Sequence, residues 1–180
     1  MIMHDWYSYS NLYSYDECME LLKLSETKKS QHLVDQGPDF KKVSSYVIET
    51  KHMGSILDKF FDCIIETNQR VFGFDLWPRL PVGVNINSYQ GEKNEYPWHR
   101  DANQYGSPGD IKLTAVLNIT PQQYAGGEFE LRLNDPIAVE EINFTGNLLI
   151  FPSFYWHRVN PVTKGERITL SAWFEGPAFK

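Results

Sequence analysis

The sequence contains little cysteine and little histidine. There are two Cys, Cys18 and Cys63, and five His among 180 residues. Two thiols are too few for a disulfide scaffold or a cysteine-based zinc site. We expect them to be small buried apolar residues in a reducing compartment. A metal centre in this chain would therefore use nitrogen and oxygen ligands.

The sequence also lacks an excess of positive charge. It has 17 Lys and Arg against 23 Asp and Glu, a formal net charge of −6, and no run of basic residues. A dedicated nucleic-acid binder has the opposite balance, so nucleic acid is disfavoured as a partner. No apolar run approaches the roughly 18 residues that span a bilayer, and the first ten residues do not resemble a secretory signal. We expect a cytoplasmic protein with no membrane partner.

Aromatic residues are abundant by contrast, with five Trp, ten Tyr and eleven Phe. A composition of 42% hydrophobic and 22% charged residues is typical of a globular protein that buries one core. The length favours one domain over residues 1–180, with a helical support region at 1–80 and a strand-rich core at 82–176. No pattern indicates an oligomeric state.

The first third of the chain carries two helix patterns. The segment Ser14–Glu17 reads as a capping box that opens a helix ending near Leu24. The charged segment 25–42 is predicted to be a loop. A second helix is predicted over Gly54–Val71, where apolar residues recur at three- and four-residue spacing, and Gly73 stands where it would stop.

Short runs of alternating apolar and polar residues indicate strands. One is predicted at Val43–Glu49. The others are Val82–Tyr89, Tyr96–His99, Ile111–Ile119, Glu128–Leu133, Ile137–Ile142, Asn147–Phe151, Trp156–Val159 and Arg167–Phe174. Eight short strands separated by turn residues favour a β-sandwich or barrel, with the helices packed outside it.

A possible metal site begins at His99-Arg100-Asp101. Residues i and i+2 of an extended segment point to the same face, so the His99 and Asp101 side chains can converge. Together they would supply two of the three ligands in the facial triad of non-haem Fe(II) oxygenases. The motif alone is also explained by a surface ion pair between Arg100 and Asp101.

His157 and Arg167, which lie later in the sequence, strengthen the metal hypothesis. His157 could supply the third ligand from another strand, although a histidine among aromatics is also common in cores. Arg167 follows ten residues later on the last predicted strand. If its guanidinium is buried it needs an anionic partner, and its planar fork suits a carboxylate.

The combined pattern resembles the Fe(II)/2-oxoglutarate-dependent dioxygenases, and within them the prolyl-4-hydroxylase-like branch with its bacterial and phage members. The resemblance covers about Val82–Gly176. It includes Tyr96-Pro97-Trp98-His99-Arg100-Asp101, the segment Gly126-Gly127-Glu128-Phe129, the segment Gly146–Ser153, and His157-x-Val159-x-Pro161-Val162-Thr163-x-Gly165-x-Arg167. It implies an α+β, mainly β fold: a double-stranded β-helix, similar to a jelly roll or cupin, with N-terminal helices on its outside.

The resemblance also implies cofactors and roles. His99, Asp101 and His157 would bind Fe(II) and leave positions for 2-oxoglutarate and O2. Arg167 would pair with the distal carboxylate of 2-oxoglutarate, with Tyr89 and Thr169 as hydrogen-bonding partners. The reaction would hydroxylate a protein, peptide or amino-acid side chain and release succinate and CO2, with ascorbate as a candidate reductant.

Two alternatives stay open at the level of sequence. One is oxidative demethylation of alkylated nucleic acid. The net charge of −6 opposes it, and so does Trp173, which stands where demethylases carry a second arginine. The other is a non-catalytic metal-binding β-barrel module. A halogenase is disfavoured because Asp101 fills the carboxylate position. Asn103 could orient the metal segment, touch substrate or be an ordinary turn residue.

Overall fold

Two antiparallel β-sheets form the frame of this protein. The computed structural model describes residues 5–27, 43–91, 94–101 and 109–179. Its strands are β1 (Tyr7–Tyr9), β2 (Ser44–Glu49), β3 (Gly83–Gln90), β4 (Asn94–His99), β5 (Gly109–Asn118), β6 (Ala125–Gly126), β7 (Phe129–Arg132), β8 (Pro136–Ala138), β9 (Leu148–Pro152), β10 (Trp156–Lys164) and β11 (Glu166–Pro177). The larger sheet has the order β1-β9-β5-β11-β3-β2, and the smaller has the order β4-β10-β7-β8 with β6 paired to β10.

The helices precede most of the strands in the chain. Helix α1 spans Tyr15–Thr27, and helix α2 spans Asp58–Thr67. A 3-10 turn at Gly54–Leu57 leads into α2, and a π-helical turn at Asn68–Phe72 follows it. The segment predicted as one helix therefore consists of 3-10, α and π parts. Gly73 ends the segment in the left-handed conformation at φ 70°, as its position predicts.

The predicted capping box at the start of α1 is confirmed. The Ser14 backbone N–H donates to Glu17 Oε2 at 2.8 Å, and the Glu17 N–H donates to Ser14 Oγ at 3.3 Å. This exchange satisfies backbone donors that the first helical turn leaves without partners.

The larger sheet separates two layers of buried side chains. On β11, Ile168, Leu170 and Ala172 belong to the same apolar cluster as helical residues such as Leu21 and Phe60. The alternate residues of β11 point to the other face, toward a second cluster drawn from both sheets. The helices therefore cover one face of the larger sheet, and the smaller sheet covers the other. This arrangement confirms a mainly β core with helices outside.

Some predicted boundaries were wrong for identifiable reasons. Helix α1 continues to Thr27, because Ser25 is fully buried and its hydroxyl donates to the Leu22 carbonyl at 2.7 Å. The predicted strand Ile137–Ile142 is a strand only over Pro136–Ala138 and becomes a 3-10 turn at Glu140–Asn143. Strands β1 and β6 were not predicted, since each is too short to show alternation.

Most of the predicted loop at 25–42 lies outside the described residues. Within the described part of the chain, no helix is long and apolar enough to cross a membrane.

Gly146 is expected to be a sensitive position for stability. It has φ 82°, and a Cβ there would lie 1.9 Å from the Tyr13 carbonyl oxygen. Gly73 has a similar φ of 70° but nothing within 4 Å of its Cβ position. Gly73→Ala should therefore cost only the left-handed penalty of about 1–2 kcal/mol. Gly146→Ala should lower the free energy of unfolding by at least about 2 kcal/mol more, because the loop near Tyr13 must move.

Urea unfolding of both variants measures the difference. Equal losses in Gly146→Ala and Gly73→Ala would show that the contact with Tyr13 is not a constraint.

Candidate metal centre

Three side chains converge where the smaller sheet ends. His99 is the last residue of β4, Asp101 follows two residues later, and His157 is the second residue of β10. Strands β4 and β10 are antiparallel neighbours, and His99 lies directly opposite His157 in their register. Cross-strand partners present their side chains on the same face. The pairing therefore brings together two imidazoles that are far apart in the sequence.

The ligand atoms of these three residues all lie within 4.8 Å of one another. The closest separations are 3.6 Å from His99 Nε2 to Asp101 Oδ1 and 3.5 Å from His157 Nε2 to Asp101 Oδ2. All three side chains are 11% exposed or less. Small side-chain rotations would let one ion contact all three.

Backbone carbonyls fix the orientation of both rings. His99 Nδ1 lies 2.8 Å from the Pro97 carbonyl oxygen, and His157 Nδ1 lies 3.0 Å from that of Tyr155. A carbonyl can only accept, so Nδ1 carries the hydrogen and, in the neutral ring, Nε2 presents a lone pair. The two Nε2 lone pairs then face the Asp101 carboxylate, which is an arrangement that a cation completes.

A hydroxyl relay holds the Asp101 carboxylate. Thr114 on β5 donates its hydroxyl to Asp101 Oδ2 at 2.8 Å, and Ser153 Oγ lies 2.9 Å from Thr114 Oγ1. Because the Thr114 hydrogen is used on Asp101, Ser153 is the donor in the second bond. The Asp101 N–H also donates to the Ser153 carbonyl at 3.1 Å. Asp101 is thus oriented by β5 and by the segment after β9.

Aromatic rings enclose the two histidines. The Tyr96 ring stacks on the His99 imidazole at a centroid distance of 3.5 Å, and Phe151 and Phe129 lie 4.9 Å and 5.7 Å from the His157 ring. Burial raises the pKa of the Tyr96 phenol, so its hydroxyl stays protonated at neutral pH. These rings keep water from the back of the imidazoles.

Arg167 carries a second charged group into the same interior. Its side chain is 1% exposed, and its Nε and Nη2 atoms have no hydrogen-bond partner among the described residues. Its guanidinium carbon lies 5.5 Å from the Tyr89 ring centroid. Gly127 makes room for it, since a Cβ there would lie 3.0 Å from Arg167 Cδ. A desolvated guanidinium with free donors needs an anion.

Tyr89 and Thr169 lie beside this guanidinium in the sheet register. Tyr89 on β3 is the direct cross-strand partner of Arg167, and Thr169 follows two residues later on the same face of β11. Both are buried, at 3% and 2% exposure. Burial raises the pKa of Tyr89 to about 12, although the positive charge of Arg167 opposes that shift. Its phenol is therefore a neutral hydrogen-bond donor near Arg167.

All six predicted site residues lie on interior-facing positions: His99, Asp101, His157, Arg167, Tyr89 and Thr169. Asn103 lies outside the described residues. Sequence reasoning missed Thr114 and Ser153, which carry no motif of their own. The sequence offers one hint for Thr114: it is a polar residue at an interior position of a strand whose other face is apolar.

The fold and the site together define a class: a two-sheet β protein that presents a two-histidine, one-carboxylate ligand set, as in the non-haem iron oxygenases. The family model described as the 2OG-Fe(II) oxygenase superfamily matches residues 84–175, just over half of the chain. The chain belongs to this superfamily. The chain also resembles PKHD-type hydroxylases in sequence and prolyl hydroxylases in fold, as the predicted branch implies.

A PKHD-type hydroxylase of Nitrosomonas europaea is 37% identical over 99 residues, which are 51% of this chain and 42% of that relative. The chain thus aligns with less than half of that protein. A viral collagen prolyl hydroxylase of Paramecium Bursaria Chlorella virus-1, in its 2OG complex, has a TM-score of 0.73 at 16% identity, covering 96% of this chain and 97% of the other. A prolyl-4-hydroxylase of Pseudomonas putida gives 0.71 at 20% identity, covering 96% and 93%. The jelly-roll fold prediction is confirmed.

Thr114 offers a test of the carboxylate relay. Thr114→Val keeps the side-chain shape but removes the donor to Asp101, so Fe(II) affinity should fall about 10- to 100-fold. Thr114→Ser keeps the hydroxyl and should retain most of the affinity. Anaerobic competition against a coloured Fe(II) chelator measures both. An equal loss in the two variants would mean that packing, and not the hydrogen bond, is what matters.

Proposed function

We propose that this chain is an Fe(II)- and 2-oxoglutarate-dependent dioxygenase that hydroxylates a protein, peptide or amino-acid side chain and releases succinate and CO2. One observation carries the proposal: a converging His99, Asp101 and His157 set shares the interior with the buried guanidinium of Arg167, whose Nε and Nη2 have no hydrogen-bond partner among the described residues. A metal site and an anion site that are both buried in the interior fit a metal-chelating dicarboxylate.

The residues present fit the metal. His99 and His157 would bind Fe(II) through Nε2, and Asp101 through one carboxylate oxygen, with Thr114 holding the other. Three protein ligands on one side leave room for 2-oxoglutarate and O2. When bound, the iron and 2-oxoglutarate supply the oxidation of an unactivated C–H bond, with ascorbate as a candidate reductant.

The residues present also fit the co-substrate. Arg167 would bind the distal carboxylate of 2-oxoglutarate with its free Nε and Nη2 donors, a bidentate geometry that suits a carboxylate. The Tyr89 hydroxyl and the Thr169 hydroxyl would add hydrogen bonds. Because these residues are buried, the charge pair would be stronger than on the surface.

The substrate proposal is a polypeptide or amino acid and not a nucleic acid. It is supported by the likeness to hydroxylases whose names specify collagen or proline, and by the chain's net charge of −6. The Arg167 donors that lack partners among the described residues count against a non-catalytic module, since such a module has no use for a buried anion site.

The metal assignment is tested by anaerobic titration. Addition of 2-oxoglutarate to the Fe(II) protein should produce a visible metal-to-ligand charge-transfer band, and air should then yield succinate. His99→Ala and Asp101→Ala should each abolish both signals, whereas His52→Ala, at an exposed position away from the site, should change neither. A band that survives His99→Ala would place the metal elsewhere.

The co-substrate assignment is tested separately. Arg167→Ala removes the distal anchor, so the KM for 2-oxoglutarate should rise about 100-fold or more while Fe(II) affinity changes little. Arg70→Ala is a matched control, because Arg70 is 70% exposed and pairs with Glu66 on a helix surface. An unchanged KM in Arg167→Ala would remove Arg167 from the proposed site.

A further inference from the structure

An arginine–tryptophan patch covers the outward face of the smaller sheet. It consists of Trp98, Arg100, Arg132, Trp156 and Arg158. Alternation along β4 and β10 explains its position, because the residues flanking His99 and His157 must point away from the interior. Trp156 lies opposite Arg132, and Arg158 lies opposite Glu130, in the β10–β7 register.

The patch is organised by cation–π contacts. The Arg132 and Arg158 guanidinium carbons lie 4.4 Å and 4.8 Å from the Trp98 ring centroid, and that of Arg100 lies 5.0 Å from Trp156. Stacking on a ring pre-orients a guanidinium and leaves its edge N–H donors available. Trp156 is 42% exposed although it is a large apolar residue.

The positive charge of the patch is only partly compensated. Glu130 accepts a hydrogen bond from Arg158 Nε at 2.8 Å and another from Asn160 Nδ2 at 2.9 Å. No carboxylate of the described residues lies within ion-pair distance of Arg100 or Arg132, and both side chains are exposed. The patch is therefore a local positive site on a chain of net charge −6.

The patch also adjoins the metal centre. Strand β4 ends at His99, β7 ends at Arg132 and β10 begins at Trp156, so Arg100, Trp156 and Arg132 mark one end of the smaller sheet. The proposed ligands His99 and His157 are at this same end. A polypeptide held on the patch would therefore lie at the end of the sheet where the proposed ligands are.

We infer that the arginine–tryptophan patch is a docking site for an acidic segment of a polypeptide substrate. The inference rests on the proposed function and narrows it, because it selects substrates with Asp or Glu residues near the hydroxylated position. The guanidinium N–H groups of Arg100 and Arg132 would each bind a carboxylate of the segment. The exposed Trp156 would pack against apolar side chains that lie between those carboxylates.

A nucleic-acid strand fits the patch less well. Single strands bind through aromatic rings on which bases stack, together with an extended basic groove. Here only two arginines, Arg100 and Arg132, lack a carboxylate partner among the described residues, which is too few for an extended basic groove. The overall negative charge would also repel a polyanion.

Binding can be measured without iron or 2-oxoglutarate. A fluorescein-labelled peptide with a run of glutamates is titrated with the protein, and anisotropy is followed at low and high salt. Peptides with glutamines in place of the glutamates, and a thymidine oligonucleotide of equal charge, are the comparison probes. Because no turnover is involved, failure of the oxygenase proposal leaves this result readable.

The test variant is Arg100→Gln/Arg132→Gln. The acidic peptide should bind wild type more tightly than either comparison probe, and the double variant should lose about tenfold or more in affinity. The control Lys51→Gln/Arg70→Gln removes the same charge from distant exposed positions and should lose far less. If the double variant is unstable by thermal unfolding, Arg132→Gln alone should show a smaller loss in the same direction.

Three results would overturn the inference. One is an equal loss of peptide affinity in the control Lys51→Gln/Arg70→Gln, which would show that net charge alone explains the effect. Another is tighter binding of the oligonucleotide with the same arginine dependence, which would make the patch a phosphate site. The third is no preference of wild type for the glutamate peptide over the glutamine peptide.

Discussion

The antiparallel pairing of β4 with β10 is the constraint on which the rest of the site depends. It sets His99 opposite His157, and the alternation of each strand then decides what lies on either face. The imidazoles point inward, while Trp98 and Arg158 point outward. A one-residue shift in the pairing of a strand would turn its inward side chains outward and its outward side chains inward. The register therefore fixes the metal centre and the outer surface together.

The interior that this pairing closes contains charged groups that the described residues do not neutralise. Arg167 has buried donors without partners among the described residues, and the nitrogens of His99 and His157 face the Asp101 carboxylate. Such burial costs stability unless ligands complete it. Without ligands, the apolar packing between the larger sheet and the helices must therefore offset the cost of burying these groups. Bound ligands are accordingly expected to stabilise the fold.

Local patterns predicted the parts of this structure that depend on local physics. The alternation of the strands, the capping box at Ser14 and the same-face geometry of His99 and Asp101 all follow from residues close in sequence. The hydroxyl relay through Thr114, and the space that Gly127 leaves for Arg167, arise only when distant strands meet. The predicted strand does not reach Ile142, because the chain enters a 3-10 turn at Glu140. Val139 just before the turn and Ile142 within it are both buried in the core. His157 was proposed as a third ligand from another predicted strand, and the family pattern then strengthened that proposal.

A crystal structure of the protein prepared anaerobically with Fe(II) and 2-oxoglutarate tests the central claim most directly. The account predicts one iron bound by Nε2 of His99, Nε2 of His157 and a carboxylate oxygen of Asp101. It also predicts the distal carboxylate of 2-oxoglutarate against Nε and Nη2 of Arg167. Iron bound by other residues, or an Arg167 guanidinium still without an anionic partner in the loaded protein, would contradict it.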